Sequence, residues 1–313
     1  MTEGRDEGWE RQVLERLALE TLAEQRRRRR WSVFFRLTTL ACVATALWIF
    51  GGFGEVEQLE GGRHTALISL EGEIAAKGEV SAEHVVASLQ AAFADAGTQG
   101  VVLRINSPGG SPVQAGIISD EIVRLRTLHP QVPVFAVVED ICASGGYYVA
   151  AVADRIFVDK ASIVGSIGVL MDGFGFAGLM ERLGIERRLL TAGDNKGFLD
   201  PFSPQQPKQL AHAKLMLQEI HAQFVDTVRK GRGERLKETP EMFSGLMWSG
   251  AKSVEMGLAD GFGTVDSVAR EVIKAETIHD YTQKQNLAER FAQRFGAGMA
   301  ERAASVLAGS PLR

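Results

Sequence analysis

Between residues 65 and 230, short runs of β-forming residues alternate with longer stretches of helical periodicity, and this alternation constrains the chain more than any other feature. Residues 65–70 (TALISL) read as a strand, after which Val85, Val86, Leu89 and Phe93 recur at helical spacing. Residues 100–105 (GVVLRI) form a second strand, followed by a helix through Ile117, Ile118, Ile122, Val123 and Leu125. Residues 133–138 (PVFAVV) form a third, and Ser144-Gly145-Gly146 opens a helix through Ala153. Strands are expected at 155–158, 166–171 and 187–191, and a long helix over about 204–230. Such a pattern specifies βαβ units and a mostly parallel sheet. In such sheets functional groups gather just beyond the carboxyl ends of the strands. Two glycine pairs, Gly109-Gly110 and Gly145-Gly146, fall at two such ends.

Composition narrows the function classes. The net charge of −4 points to no nucleic-acid partner. Two cysteines, Cys42 and Cys142, exclude a disulfide framework and a cysteine-rich zinc site. Cys142 stands two residues before Ser144 and is read either as a thiol nucleophile or, the commoner role, as a small buried hydrophobe.

Residues 37–53 carry no charge, and extending the run back to Trp31 gives a stretch long enough to cross a bilayer at about 1.5 Å per residue. Arg36 interrupts it near one end, where a long side chain can snorkel to the headgroups. Five arginines, Arg26 to Arg30, precede the run and hold that flank in the cytoplasm, so residues from about 54 onward are expected outside. No A-x-A-like cleavage site follows, which favours an uncleaved anchor over a signal peptide. The reading is thus a cytoplasmic segment (1–30), a transmembrane anchor (31–53), a folded domain (54–279) and an amphipathic tail (280–313), with Leu287, Phe291, Phe295 and Met299 spaced every four residues. Trp9, Val13 and Leu17 show the same spacing in the first segment, a solvated or membrane-lying helix.

The strand-end glycines suggest acyl-transfer chemistry. A serine hydroxyl needs a base to take its proton and donors aimed at the developing oxyanion. Ser144 sits at a strand-to-helix turn, where the N–H of Gly145 is left free by the helix start, and Gly109-Gly110 can supply a second N–H. The alternative is that both pairs are only tight turns. The histidines at 64, 84, 129, 212, 221 and 279 all lie away from glycine-rich strand ends and read as surface residues. Lys196 lies in a glycine-flanked loop, Ala-Gly-Asp-Asn-Lys-Gly. Taken alone, a loop lysine is usually a solvated charge.

Three segments carry a resemblance: Ile105-Asn106-Ser107-Pro108-Gly109-Gly110, Ala143-Ser144-Gly145-Gly146-Tyr147-Tyr148 and Gly165-Ser166-Ile167-Gly168-Val169. Together they resemble the signal peptide peptidase A family over about residues 64–275, in its short single-domain form. The resemblance implies a ClpP/crotonase-like α/β fold, a ββα superhelix, here preceded by one transmembrane helix. It implies a Ser-Lys dyad with Ser144 as nucleophile and Lys196 as base, Ser166 orienting the lysine, and Gly110 and Gly145 forming the oxyanion hole. A base lysine must be neutral, so activity is expected to rise toward alkaline pH. The resemblance further implies a homo-oligomer with sites at protomer contacts. Its expected place is the bacterial inner membrane, with the catalytic domain periplasmic or extracellular. Remnant signal peptides and other unfolded apolar peptides are the expected substrates. No metal or organic cofactor is implied. The rival readings are a crotonase-like acyl-CoA enzyme and a non-catalytic membrane scaffold retaining the fold.

Overall fold

The computed structural model describes residues 27–45 and 62–283. Residues Glu60–Gln285 form one compact unit, and the helix over 27–45 (α1) belongs to a second unit. In α1 the ring of Trp31 packs against Phe34 and Phe35, and Thr38 and Thr39 donate their hydroxyls to the carbonyls of Phe34 and Phe35. Among the described residues no helix is long and apolar enough to cross a membrane. Residues 46–53 of the expected anchor lie outside the described residues, as do Trp9, Val13, Leu17 and the tail from 284.

The compact unit is built on one sheet whose strands run β1 (His64–Glu71), β2 (Thr98–Ser107), β3 (Val134–Ala143), β4 (Arg155–Val158), β5 (Ile163–Gly165), β6 (Met247–Ser249), β7 (Gly261–Phe262) and β8 (Ile278–Asp280). The spatial order is β6-β5-β3-β2-β1-β8, with β4 and β7 branching from β3. Every pairing is parallel except β5 with β6. The branch has a simple cause. Residues 135–137 of β3 pair with β4, and residues 141–143 pair with β5. Between them Glu139 and Asp140 turn outward, and the Ser162 hydroxyl donates to the carbonyl of Glu139, holding the chain where β3 changes partner.

Alternation along the strands fills both faces, as a covered parallel sheet requires. Ala66, Ile68 and Leu70 of β1 and Val101, Leu103 and Ile105 of β2 enter the main core; Leu67 and Val102 enter a smaller one with Phe135, Val137 and Phe157. The main core is closed by α2 (Ala82–Ala94), through Val85, Leu89 and Phe93, and by α3 (Pro112–Leu128), through Ile118, Ile122 and Leu125. Ser81 and Ser111 cap these helices, and Pro112 supplies a first-turn residue with no N–H to satisfy. Helix α4 (Gly145–Ala150) follows β3 directly, α5 (Ala177–Arg182) is a short exposed turn, and α6 (Pro207–Arg232) is the long helix expected from the sequence. Beyond α6 come α7 (Gly250–Glu255) and α8 (Val265–Ser267).

Two strands expected from the sequence do not form. The extended segment is Ile163–Gly165, and Ser166, at φ 51°, turns the chain out of the sheet before 166–171 can pair. Residues 187–191 run without a strand partner among the described residues. Beneath α4, Arg232 is buried and donates to both carboxylate oxygens of Asp260 and to the carbonyl of Gly257. The Tyr147 hydroxyl donates to the carbonyl of Leu258 at 2.8 Å, tying the same layer to α4.

Candidate active site

The carboxyl ends of β2, β3 and β5 meet at one cleft of about 540 Å³. Ser144 stands at its mouth with φ 51° and ψ −122°, a conformation that a non-glycine residue adopts only where its surroundings fix it. They do so on both sides. The Ser144 N–H donates to the carbonyl of Gly165 in the neighbouring strand, and its carbonyl accepts from the N–H of Tyr148 inside α4. Helix α4 can start this close to β2 because residue 146 is glycine: a Cβ there would stand 3.1 Å from the carbonyl oxygen and 3.3 Å from the Cβ of Ser107.

The loop after β2 is clamped from the far side. Ile74 donates its N–H to the carbonyl of Gly109 and accepts at its own carbonyl from the N–H of Ser111. Gly110, at φ 142°, passes so close that a Cβ there would lie 2.2 Å from the Ile74 carbonyl oxygen. The Gly109 N–H donates to the Ser107 hydroxyl and is thereby used. The N–H of Gly110 has no hydrogen-bond partner among the described residues. That of Gly145, the first residue of α4, has no intrahelical partner by position. A Cβ built on Gly145 would stand 3.3 Å from the Gly110 nitrogen, so the two amides are neighbours across the mouth of the cleft.

Ser144, Gly110, Gly145 and Ser166 all line this cleft. Lys196 does not. It is exposed in a chain of turns, its N–H donating to the carbonyl of Gly193. No histidine lines the cleft either; His221 has its Nε2 3.3 Å from the carbonyl oxygen of Ile167. His64, expected at the surface, is buried against His279, with Nε2 3.0 Å from the Tyr281 hydroxyl; that strand-edge pairing is invisible in sequence. The Cys142 thiol is fully buried, and burial pushes its pKa far above the ordinary thiol range, which leaves it inert as a nucleophile.

The cleft wall includes residues that the motifs do not mark. Ile220, Gln223 and Phe224 present one face of α6, and the Phe224 ring packs on Tyr148 at 5.0 Å. Their i, i+3, i+4 spacing was the available signal, but it is shared with every core-facing helix. Ser244 and Gly245 complete the wall beside Gly168, where a Cβ would stand 3.0 Å from the Gly245 Cα. Among the described residues no group of acidic, histidine or cysteine side chains is placed to hold a metal.

Residues 126–279 match the model of peptidase family S49. That segment is a peptidase S49 domain. It is similar to a putative signal peptide peptidase SppA of Enterococcus faecium, 28% identical over 247 residues, which covers 75% of this chain and 71% of that one. A putative protease of Methanocaldococcus jannaschii is 36% identical over 179 residues, 57% of this chain and 56% of its own. A Brucella abortus protein called Na(+)/H(+) antiporter NhaA is 46% identical over 183 residues. That match takes in 58% of this chain but spans only 25% of the antiporter-named protein.

Proposed function

We propose that this chain is a membrane-anchored serine endopeptidase with a Ser144–Lys196 dyad. The observation that carries the reading is a serine held at φ 51° at the mouth of a cleft, beside two neighbouring backbone amides left without partners. The Ser144 Oγ attacks the scissile carbonyl carbon while the neutral Lys196 amine takes the hydroxyl proton. The carbonyl oxygen becomes an oxyanion between the N–H groups of Gly110 and Gly145. Collapse breaks the C–N bond, the lysine ammonium returns the proton to the departing amine, and an ester to Ser144 remains. Water, deprotonated by the same amine, then hydrolyses the ester. Ser166, in the same cleft, orients the lysine without adding charge.

Lys196 lies outside the cleft of its own chain, in a segment whose Leu170, Phe174, Leu183 and Leu190 are exposed. Those side chains support a homo-oligomer in which a neighbouring protomer covers the segment and completes the site with its lysine. The cleft's Val169, Leu170, Ile220 and Phe224 suit small or aliphatic substrate side chains, consistent with remnant signal peptides and other unfolded apolar chains. The exposed Trp31, Phe34, Phe35, Leu37 and Leu40 on α1, next to Arg27–Arg30, support the anchor, with the arginine flank cytoplasmic and the peptidase unit on the other side of the membrane.

A fluorophosphonate probe should label the wild type and neither Ser144→Ala nor Lys196→Ala. Mixed oligomers of the two variants should regain activity if one site draws on two chains. Labelling of Ser144→Ala at the wild-type level would overturn the nucleophile assignment.

A further inference from the structure

The proposed dyad leaves open what holds the lysine loop in shape. Lys196 closes a turn onto Gly193, and the next turn closes from the Asp200 N–H onto the carbonyl of Gly197. Inside this second turn Leu199 adopts φ 52°, a left-handed conformation for a bulky side chain. Such an outlier persists only where its surroundings over-determine it, and it is commonest at functional sites.

The element that fixes it is one buried side chain. Gln209, only 6% exposed, turns its Oε1 to the Leu199 N–H at 3.2 Å. Its position makes that choice informative. Gln209 is the third residue of α6, where a glutamine ordinarily reaches back to the N–H of the capping residue. The capping residue here is Gln206, and no side chain caps the helix. Gln209 thus reaches out of the helix to the loop instead. Solvent could satisfy a loop N–H, so burying an amide to do so is worthwhile only if the loop must keep one shape. A second contact lies one turn along the same helix face: the ring of Phe198 sits edge-on to His212 at 5.8 Å.

We infer that Gln209 is the positioning residue of the general base: through the Leu199 N–H it fixes the turn that presents Lys196. The inference rests on the dyad reading above. Gln209 does not line the cleft, so it acts on the lysine loop and not on the bound peptide.

The test is steady-state cleavage of a fluorogenic peptide by the full chain in detergent, with rates corrected for the folded fraction by circular dichroism. Gln209→Met keeps the volume and removes the acceptor; kcat should fall about 10–100-fold, the scale of a misplaced catalytic group, with KM nearly unchanged. Gln209→Glu restores an acceptor oxygen at the same reach and should recover most of kcat. A Gln209→Met enzyme with wild-type kcat, or an equal loss in Gln209→Glu, would overturn the inference. If the methionine variant does not fold, Gln209→Asn takes its place, since it stays polar but cannot reach Leu199, and the same criteria apply. Lys196→Ala is measured alongside. Residual activity there defeats the dyad itself, whereas an inactive Lys196→Ala with an unaffected Gln209→Met defeats only the positioning role.

Discussion

Replacing Gly110 by alanine tests the oxyanion geometry at its most constrained point. The added Cβ would lie 2.2 Å from the Ile74 carbonyl oxygen, 2.9 Å from its nitrogen and 3.0 Å from its carbonyl carbon. Ordinary van der Waals contact begins near 3.4 Å, so the loop must move by more than 1 Å. It cannot do so without breaking the two hydrogen bonds that pin residues 109 and 111 to Ile74. Loss of a single oxyanion donor costs about 10²–10³ in kcat, or about 2.7–4 kcal/mol, and a misplacement of about 1 Å has a comparable effect. The overpacking should also cost about 1–3 kcal/mol of stability. The assay is kcat against a fluorogenic peptide, with urea unfolding on the same preparations. Gly116→Ala is the control: its Cβ meets nothing within 4 Å in the middle of α3, so it should leave kcat unchanged and gain about 0.5–1 kcal/mol. A folded Gly110→Ala enzyme within about three-fold of wild-type kcat would show that the Gly110 N–H is not an oxyanion donor.

Three further outcomes follow from particular contacts. Burial raises the Asp260 carboxyl, but hydrogen bonding and charge from Arg232, the Ile156 N–H and Arg235 more than offset this and hold it below its ordinary 3.8. Its stabilisation is therefore present above about pH 4 and lost as pH falls through the folded value, so Asp260→Asn, costing about 3–5 kcal/mol at neutrality, should close its gap to the wild type in acid; a constant gap in Tm from neutral to strongly acid pH would refute this. Tyr147→Phe strands the buried Leu258 carbonyl and should cost about 1–3 kcal/mol in urea unfolding; no measurable loss would mean that water replaces the hydroxyl. Leu190 is 97% exposed in the single chain, so Leu190→Glu should change monomer stability by no more than about 0.5 kcal/mol yet weaken self-association in sedimentation; an unchanged oligomer would place the subunit contact elsewhere.

What could be read in the sequence divides along physical lines. The strands over 65–70, 100–105 and 133–138 were legible because both faces of a covered parallel strand are apolar, and their helices because Val85, Leu89 and Phe93, then Ile118, Ile122 and Leu125, recur at helical spacing and enter the core. The turn at Ser144 was legible from local chemistry: a serine followed by two glycines at a strand end permits one kind of approach between β2 and α4. The strand expected at 166–171 failed because apolar residues there line a cleft and not a sheet: Ile167 enters the core while Val169 and Leu170 face the open site. Periodicity reports burial and does not report what provides it. The same limit applies to Lys196. Its loop is fixed by Gln209, distant in role though only a turn and a helix start away, and within the single chain the lysine is exposed. In the proposed oligomer the lysine meets Ser144 through a second protomer, and such a meeting leaves no signature in the local sequence of either segment. The exposed Leu170, Phe174, Leu183 and Leu190 are what that proposal rests on, apolar side chains that no described element of the same chain covers.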